Sequence, residues 1–145
     1  MAFDPLIVLK GEFKMGADSG TAVTYKSEVT SVELVRTRDL VEIPATFGNG
    51  IKEQRAGAVA QELRINMIND PQSSSLWAEL WAQMDDADGQ RYFEVVLKDG
   101  AVSASNPKFS GTCIVTGASI GGASGSVSQN SITMPIVGTI TKATA

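Results

Sequence analysis

The chain has 145 residues, of which 43% are hydrophobic, and a formal net charge of −4. This length predicts a single domain over residues 1–145 with one compact core. The sequence contains no histidine, and Cys113 is its only cysteine. Internal disulfides, cysteine zinc clusters and catalysis by the commonest general base are therefore excluded. We expect no enzymatic activity and no bound cofactor or metal.

Charge is distributed unevenly along the chain. After residue 100 the only charged side chains are Lys108 and Lys142. The water-facing surface of the last third must therefore consist mainly of serine, threonine, asparagine and glycine. A long uncharged β surface makes a monomer prone to association, whereas neighbours cover it in an obligate assembly. The acidic balance is not that of a duplex-binding protein. No apolar run approaches the roughly 18 residues of a membrane helix, and we expect no signal peptide.

Alternating and β-branched residues predict strands along most of the chain. Residues 6–13 and 22–38 are the first two, the second with a bulge where the apolar phase slips. Residues 58–69 have the clearest pattern, with one apolar and one polar face. Pro135 cannot donate to a ladder, which indicates an edge or a bulge, and the glycine-rich residues 117–126 form a hairpin tip. The remaining strands are predicted at residues 91–99, 108–116 and 127–142.

An irregular stretch interrupts this pattern at residues 39–57, which contain Pro44 and the turn signal Gly48-Asn49-Gly50. Loops of that length are uncommon and are usually functional or disordered. We therefore predict a long irregular loop that docks on a partner, with a plain hairpin extension as the alternative. The residues expected to make the contact are Ile43, Phe47, Ile51, Lys52 and Arg55.

One stretch has the period of a helix. An apolar stripe recurs there at spacings of three and four residues: Trp77, Leu80, Trp81 and Met84. It predicts a flanking α-helix over about residues 73–87 that plugs an open face of the β structure. Acidic side chains at a helix C-terminus oppose its dipole. The three that follow the stripe therefore indicate either an early helix end or a negatively charged lining: Asp85, Asp86 and Asp88.

Three short motifs imitate functional sites. Residues 117–121 match the Gly-x-Ser-x-Gly nucleophile elbow, but the chain has no histidine to act as the base. Residues 116–122 look like the phosphate-binding turn of short-chain dehydrogenases, but no helix follows the glycines and too few residues remain for a dinucleotide fold. Residues 85–89 resemble part of a calcium loop without its first and last acidic ligands. We interpret these stretches as a hairpin tip and a solvated helix end.

The predicted fold is mainly β, a sandwich or barrel of antiparallel strands with one flanking helix. The order of its elements resembles that of the tail tube proteins of long-tailed bacteriophages. Residues 58–81 (AVAQELRINMINDPQSSSLWAELW) look like the strand-then-helix core of that family. Residues 109–135 (FSGTCIVTGASIGGASGSVSQNSITMP) look like its closing hairpin.

The resemblance implies hexameric rings that stack into a hollow tube, with inner strands joined into one continuous barrel. DNA would pass through the negatively charged lumen without tight binding, because like charges suppress phosphate contacts. Residues 39–57 would contact the neighbouring subunit or the next ring. Other tail proteins would bind the tube ends, and the tail would assemble in the host cytoplasm and belong to the virion. The alternatives are a contractile-tail or secretion-like tube protein and a monomeric β-sandwich that binds or decorates.

Overall fold

The structure is a computed structural model that describes residues 3, 6 and 10–145. Its strands are all antiparallel, in the spatial order β2-β1-β5-β6-β7-β4-β3. The mainly β architecture with one helix is therefore confirmed. Along the chain the elements are β1 (Glu12–Gly16), β2 (Val23–Thr24), β3 (Val29–Ile43), β4 (Glu53–Ile68), α1 (Leu76–Gln83), β5 (Gln90–Val96), β6 (Lys108–Ile114) and β7 (Gln129–Ala143).

Strand β7 joins the two halves of the sheet by changing partner along its length. Its first part, from Gln129 to Pro135, pairs with β4. Its second part, from Ile136, pairs with β6. The change falls at Pro135, which has no N–H to donate. This shift lets the β3–β4 half and the β1–β5–β6 half face each other across one core.

The core draws on both halves of the sheet and on the helix. Alternate residues of β4 are buried, namely Leu63, Ile65 and Met67, while Arg64 and Asn66 point to solvent. The alternation predicted for residues 58–69 is therefore present in the second part of β4. The other fully buried residues include Met15, Leu76, Leu80, Phe93, Cys113 and Met134.

The first predicted strand is displaced. Residues 7–9 of the predicted span 6–13 lie outside the described residues, and β1 begins at Glu12. Met15, beyond the predicted span, is fully buried and pairs with Phe93 on β5.

The helix α1 is shorter than predicted and buries a different face. Ser75 caps its start, because the Ser75 Oγ accepts a hydrogen bond from the Ala78 N–H at 3.1 Å. Its buried residues are Leu76, Leu80 and Gln83. The predicted core plug is therefore wrong for Trp81 and Met84, which are each 49% exposed. With Leu76 included, the apolar residues cover a broad part of the helix circumference. Only the side that carries Leu76 and Leu80 packs against the sheet, so the side that carries Trp81 stays partly exposed.

Polar contacts fix α1 on the sheet. The Leu76 N–H donates to the Glu28 carboxylate at 3.1 Å, which places an acid at the positive end of the helix. The Arg91 Nε lies 2.9 Å from the Glu79 Oε1 in a mostly buried ion pair. Among the described residues, no helix has the length and hydropathy to cross a membrane.

Candidate assembly surfaces

Most of the predicted irregular loop is a paired β-hairpin, so the expected bounds of 39–57 are corrected to an unpaired connection at residues 44–52. Strands β3 and β4 remain in register up to the pair Ile43 and Glu53. A bulge places two β4 residues opposite Asp39, and a Cβ on Gly57 would lie 2.9 Å from the Asp39 carbonyl oxygen. The extra residue of this bulge shifts the alternation of inward and outward side chains by one position, so the sequence shows no regular strand period across it. The structure has the hairpin extension that was the alternative.

The outer part of this hairpin, residues 36–61, is here called the hairpin arm. Its apolar side chains are exposed on both faces, since neighbours such as Leu40 and Val41 point in opposite directions and are 65% and 53% exposed. Two of the predicted contact residues pair within the arm: the Lys52 Nζ lies 3.5 Å from Glu42 and the Arg55 Nη2 lies 3.7 Å from Glu53. Such exposed pairs contribute little to stability.

The arm ends in a turn that presents an aromatic ring. Thr46 and Asn49 exchange backbone hydrogen bonds of 2.7 and 3.2 Å, and the Asn49 side chain accepts from the Ile51 N–H. This turn leaves Phe47 fully exposed and Ile51 71% exposed. Residues 44–51 carry no charge. The arm tip, residues 44–52, is therefore an ordered projection whose only charge is Lys52 at its base.

The sheet also has open edges. Within the described chain β3 pairs only with β4, so one side of its 15 residues has no backbone partner. Strands β4 and β7 separate beyond the pair Glu62 and Pro135, where the Gln61 amide donates to the Gly138 carbonyl at 2.8 Å. Open edges of this length are templates for pairing with another chain.

The three acidic residues after the helix are exposed, and two of them stabilise the turn that follows it. The Asp86 carboxylate accepts from the Asp88 N–H, and the Asp88 carboxylate accepts from the Gln90 N–H. These contacts give Asp86 and Asp88 a structural role after the helix that needs no ligand. No group of metal-binding side chains occurs in the part of the chain that the structure describes.

The glycine-rich connection between β6 and β7 is tied to the helix. The Trp77 indole N–H donates to the Ser119 carbonyl at 3.1 Å, and the Trp77 ring stacks on Trp81 with centroids 5.1 Å apart. The Ser119 hydroxyl, which occupies the nucleophile position of the elbow-like motif, donates to the Asn130 side chain at 2.9 Å. Ser119 therefore has a structural role in this connection.

A cleft of about 320 Å³ lies between the β1–β5 pair and the start of β3. Its apolar lining comes from Phe13, Tyr25, Val29, Val32, Val95 and Val96, and its rim carries Lys10, Glu12, Lys26 and Asp99. Burial, together with the nearby Glu79 and Glu28 carboxylates, raises the pKa of Tyr25, so its hydroxyl stays neutral. No sequence pattern predicted this cleft, because its walls come from strands distant along the chain.

No protein-family model and no curated protein sequence matches this chain, but solved structures share its fold. A chain in the virion of a native gene transfer agent particle aligns with a TM-score of 0.64 and 12% identity, over 90% of this chain and 94% of that chain. A chain in the tail of an empty gene transfer agent particle, with C6 symmetry, aligns with a TM-score of 0.63 and 14% identity, over 92% and 95%.

A chain in the six-fold symmetrised baseplate of the anti-feeding prophage aligns with a TM-score of 0.64 and 9% identity, over 97% of both chains. At these identities the likeness shows the fold alone. The chain therefore has a fold found in virion, tail and baseplate particles, and the tail-type resemblance inferred from its sequence is confirmed at that level.

Proposed function

We propose that this chain is a non-enzymatic structural subunit of a phage-type tail, whose copies form stacked hexameric rings around a hollow tube. The observation that carries the proposal is the hairpin arm, which exposes apolar side chains on both faces and at its tip. Burial of apolar area contributes about 25 cal/mol per Å², so neighbouring copies that cover the arm gain stability. The fold shared with a tail chain of C6 symmetry supports six-fold rings.

Adjacent copies join through their open strand edges. The outer edge of β3 offers 15 residues of backbone, and the second part of β7 offers another edge where it leaves β4. Pairing between copies closes these edges into one continuous barrel, which removes the aggregation hazard of an open edge. Residues 44–52 extend from the ring to a neighbouring subunit or the next ring.

The tube conducts DNA without holding it. Asp85, Asp86 and Asp88 lie exposed after α1 and contribute to a negatively charged lining, which repels phosphates and prevents the counterion-releasing contacts that bind DNA. Other tail proteins bind the two ends of the tube. The tail assembles in the host cytoplasm and becomes part of the virion.

A second candidate is a subunit of a contractile or injection-type particle, and the fold shared with a chain of the anti-feeding prophage baseplate favours it. The two candidates differ in their partners and share the ring geometry. A monomeric decoration module is less consistent with the structure, because its function would leave both faces of the hairpin arm exposed to water.

The direct test is size-exclusion chromatography and negative-stain electron microscopy of the purified chain over a range of concentrations. We expect rings of six copies and, at higher concentration, hollow tubes. A protein that stays monomeric under all conditions would refute the proposal. Rings that stack only after a baseplate protein is added would favour the second candidate.

A further inference from the structure

We propose that the Phe47 tip of one copy inserts into the cleft between β1, β5 and β3 of a second copy. This inference rests on the proposed function and names the surface that receives the arm tip. The tip exposes an aromatic ring, and the cleft has an apolar lining that such a ring would cover.

The tip is suited to enter an apolar site. Phe47 is fully exposed, and an aromatic ring buries about 150–250 Å² when it is covered. Residues 44–51 carry no charge, so these residues bring no ionised group into the cleft. The backbone of the turn is already hydrogen-bonded through Thr46 and Asn49, which limits the cost of ordering on binding.

The cleft is suited to receive such a ring. Its apolar walls include Val29 and Val32, which are partly exposed, above buried core residues such as Phe13 and Val95. Its volume of about 320 Å³ is at the lower end of the roughly 300–1,000 Å³ typical of binding sites. The rim carries two lysines and two acids, and the arm below the tip carries two ion pairs, so these groups give neither surface a net charge that would repel the other.

The two features cannot meet within one chain. Val32 lines the cleft and Ile43 precedes the tip on the same strand β3, eleven residues further on. At the usual rise per residue this separates them by about 36 Å. Each copy therefore carries a projection and a receptor at opposite ends of one hairpin. This is a heterologous contact, which produces closed rings or extended stacks.

Disulfide trapping tests this contact directly. A double variant carrying Gly48→Cys and Lys26→Cys keeps the Phe47 ring and places one thiol beside it and one on the rim of the cleft. Under mild oxidation of assembled protein we expect a ladder of disulfide-linked multimers. Buried Cys113 is the background thiol in every sample. The control combines Gly48→Cys with Asp86→Cys, since Asp86 is exposed but does not line the cleft. An equal ladder in the control, or none in the test pair, would overturn the contact.

A cleft-filling variant gives a second, independent readout. Ser31 is exposed and lines the cleft, so Ser31→Trp should block the tip, whereas Ser105→Trp places the same bulk elsewhere. We expect Ser31→Trp and Phe47→Ala each to raise the critical concentration for assembly by roughly tenfold to a hundredfold, and their combination to add little. Circular dichroism checks that each of these variants folds.

The outcomes separate this inference from the proposed function. Normal tubes with no disulfide between positions 48 and 26, and with unaffected assembly of Ser31→Trp, would overturn the contact and leave the tube intact. Absence of any polymer from the unmodified chain would overturn the tube itself. A ladder from the test pair alone supports both.

Discussion

At the residue scale, Leu80 and Met84 distinguish the two faces of α1. Leu80 is fully buried and Met84 is 49% exposed. We expect Leu80→Ala to lower the free energy of unfolding by about 2–5 kcal/mol, because it leaves a cavity in the core. Met84→Ala should cost less than about 1 kcal/mol. Urea denaturation of dilute, monomeric protein measures both, and equal losses would show that Met84 packs in the core.

The buried thiol of Cys113 should make the stability of the fold depend on pH in the alkaline range. Burial raises the pKa of its thiol from 9.0 to about 12. Above pH 9 the unfolded chain loses this proton while the folded chain keeps it, so the folded state binds more protons and stability falls as pH rises. The contribution is complete below pH 9 and is lost towards pH 12, at up to about 1.4 kcal/mol per pH unit.

Cys113→Ala is the matched control for that slope. Tyr25 and Tyr92 also have raised pKa values, but both tyrosines remain in the variant and their contributions cancel in the comparison. Urea denaturation between pH 9 and 11, with reductant present, should show a steeper loss in the unmodified protein. Parallel curves would mean that the thiol ionises equally in both states.

At the element scale, the hairpin arm separates folding from assembly. Strands β3 and β4 are in register at Ile43 and Glu53, so replacing residues 44–52 with Asn-Gly closes the hairpin with a two-residue turn. We expect the free energy of unfolding to change little, because the tip lies outside the core, and assembly to fail. Thermal unfolding and electron microscopy measure the two effects. Normal tubes from this variant would show that the tip makes no essential contact.

At the scale of the whole molecule, the position of the acidic turn decides the character of the lumen. Asp86 is exposed, and Asp86→Cys places a reactive thiol there. If the turn lines the lumen, a small maleimide should label assembled tubes while a maleimide on a large polymer should not. Equal labelling by both reagents would place the turn on the outer surface. Dissociated subunits, which both reagents should label, are the control.

The sequence alone determined the local elements. The alternation around Leu63 and Ile65 and the three- and four-residue spacing around Leu80 predicted a β structure with one helix, since these periods follow from backbone geometry. The absence of histidine argued against a catalytic role for the Gly-x-Ser-x-Gly motif, and Ser119 of that motif donates to Asn130 in the structure. These inferences depend only on residues close together along the chain.

Only the tertiary structure decided which faces and edges are covered. The helix buries Leu76 and leaves Trp81 partly exposed, because only one side of the helix packs against the sheet. The pairing of the arm continues through residues 39–43 because a bulge at Gly57 takes up one extra β4 residue. The cleft brings Phe13, Val32 and Val95 together from three strands. Each of these features depends on contacts between residues far apart in the chain, which sequence periodicity does not record.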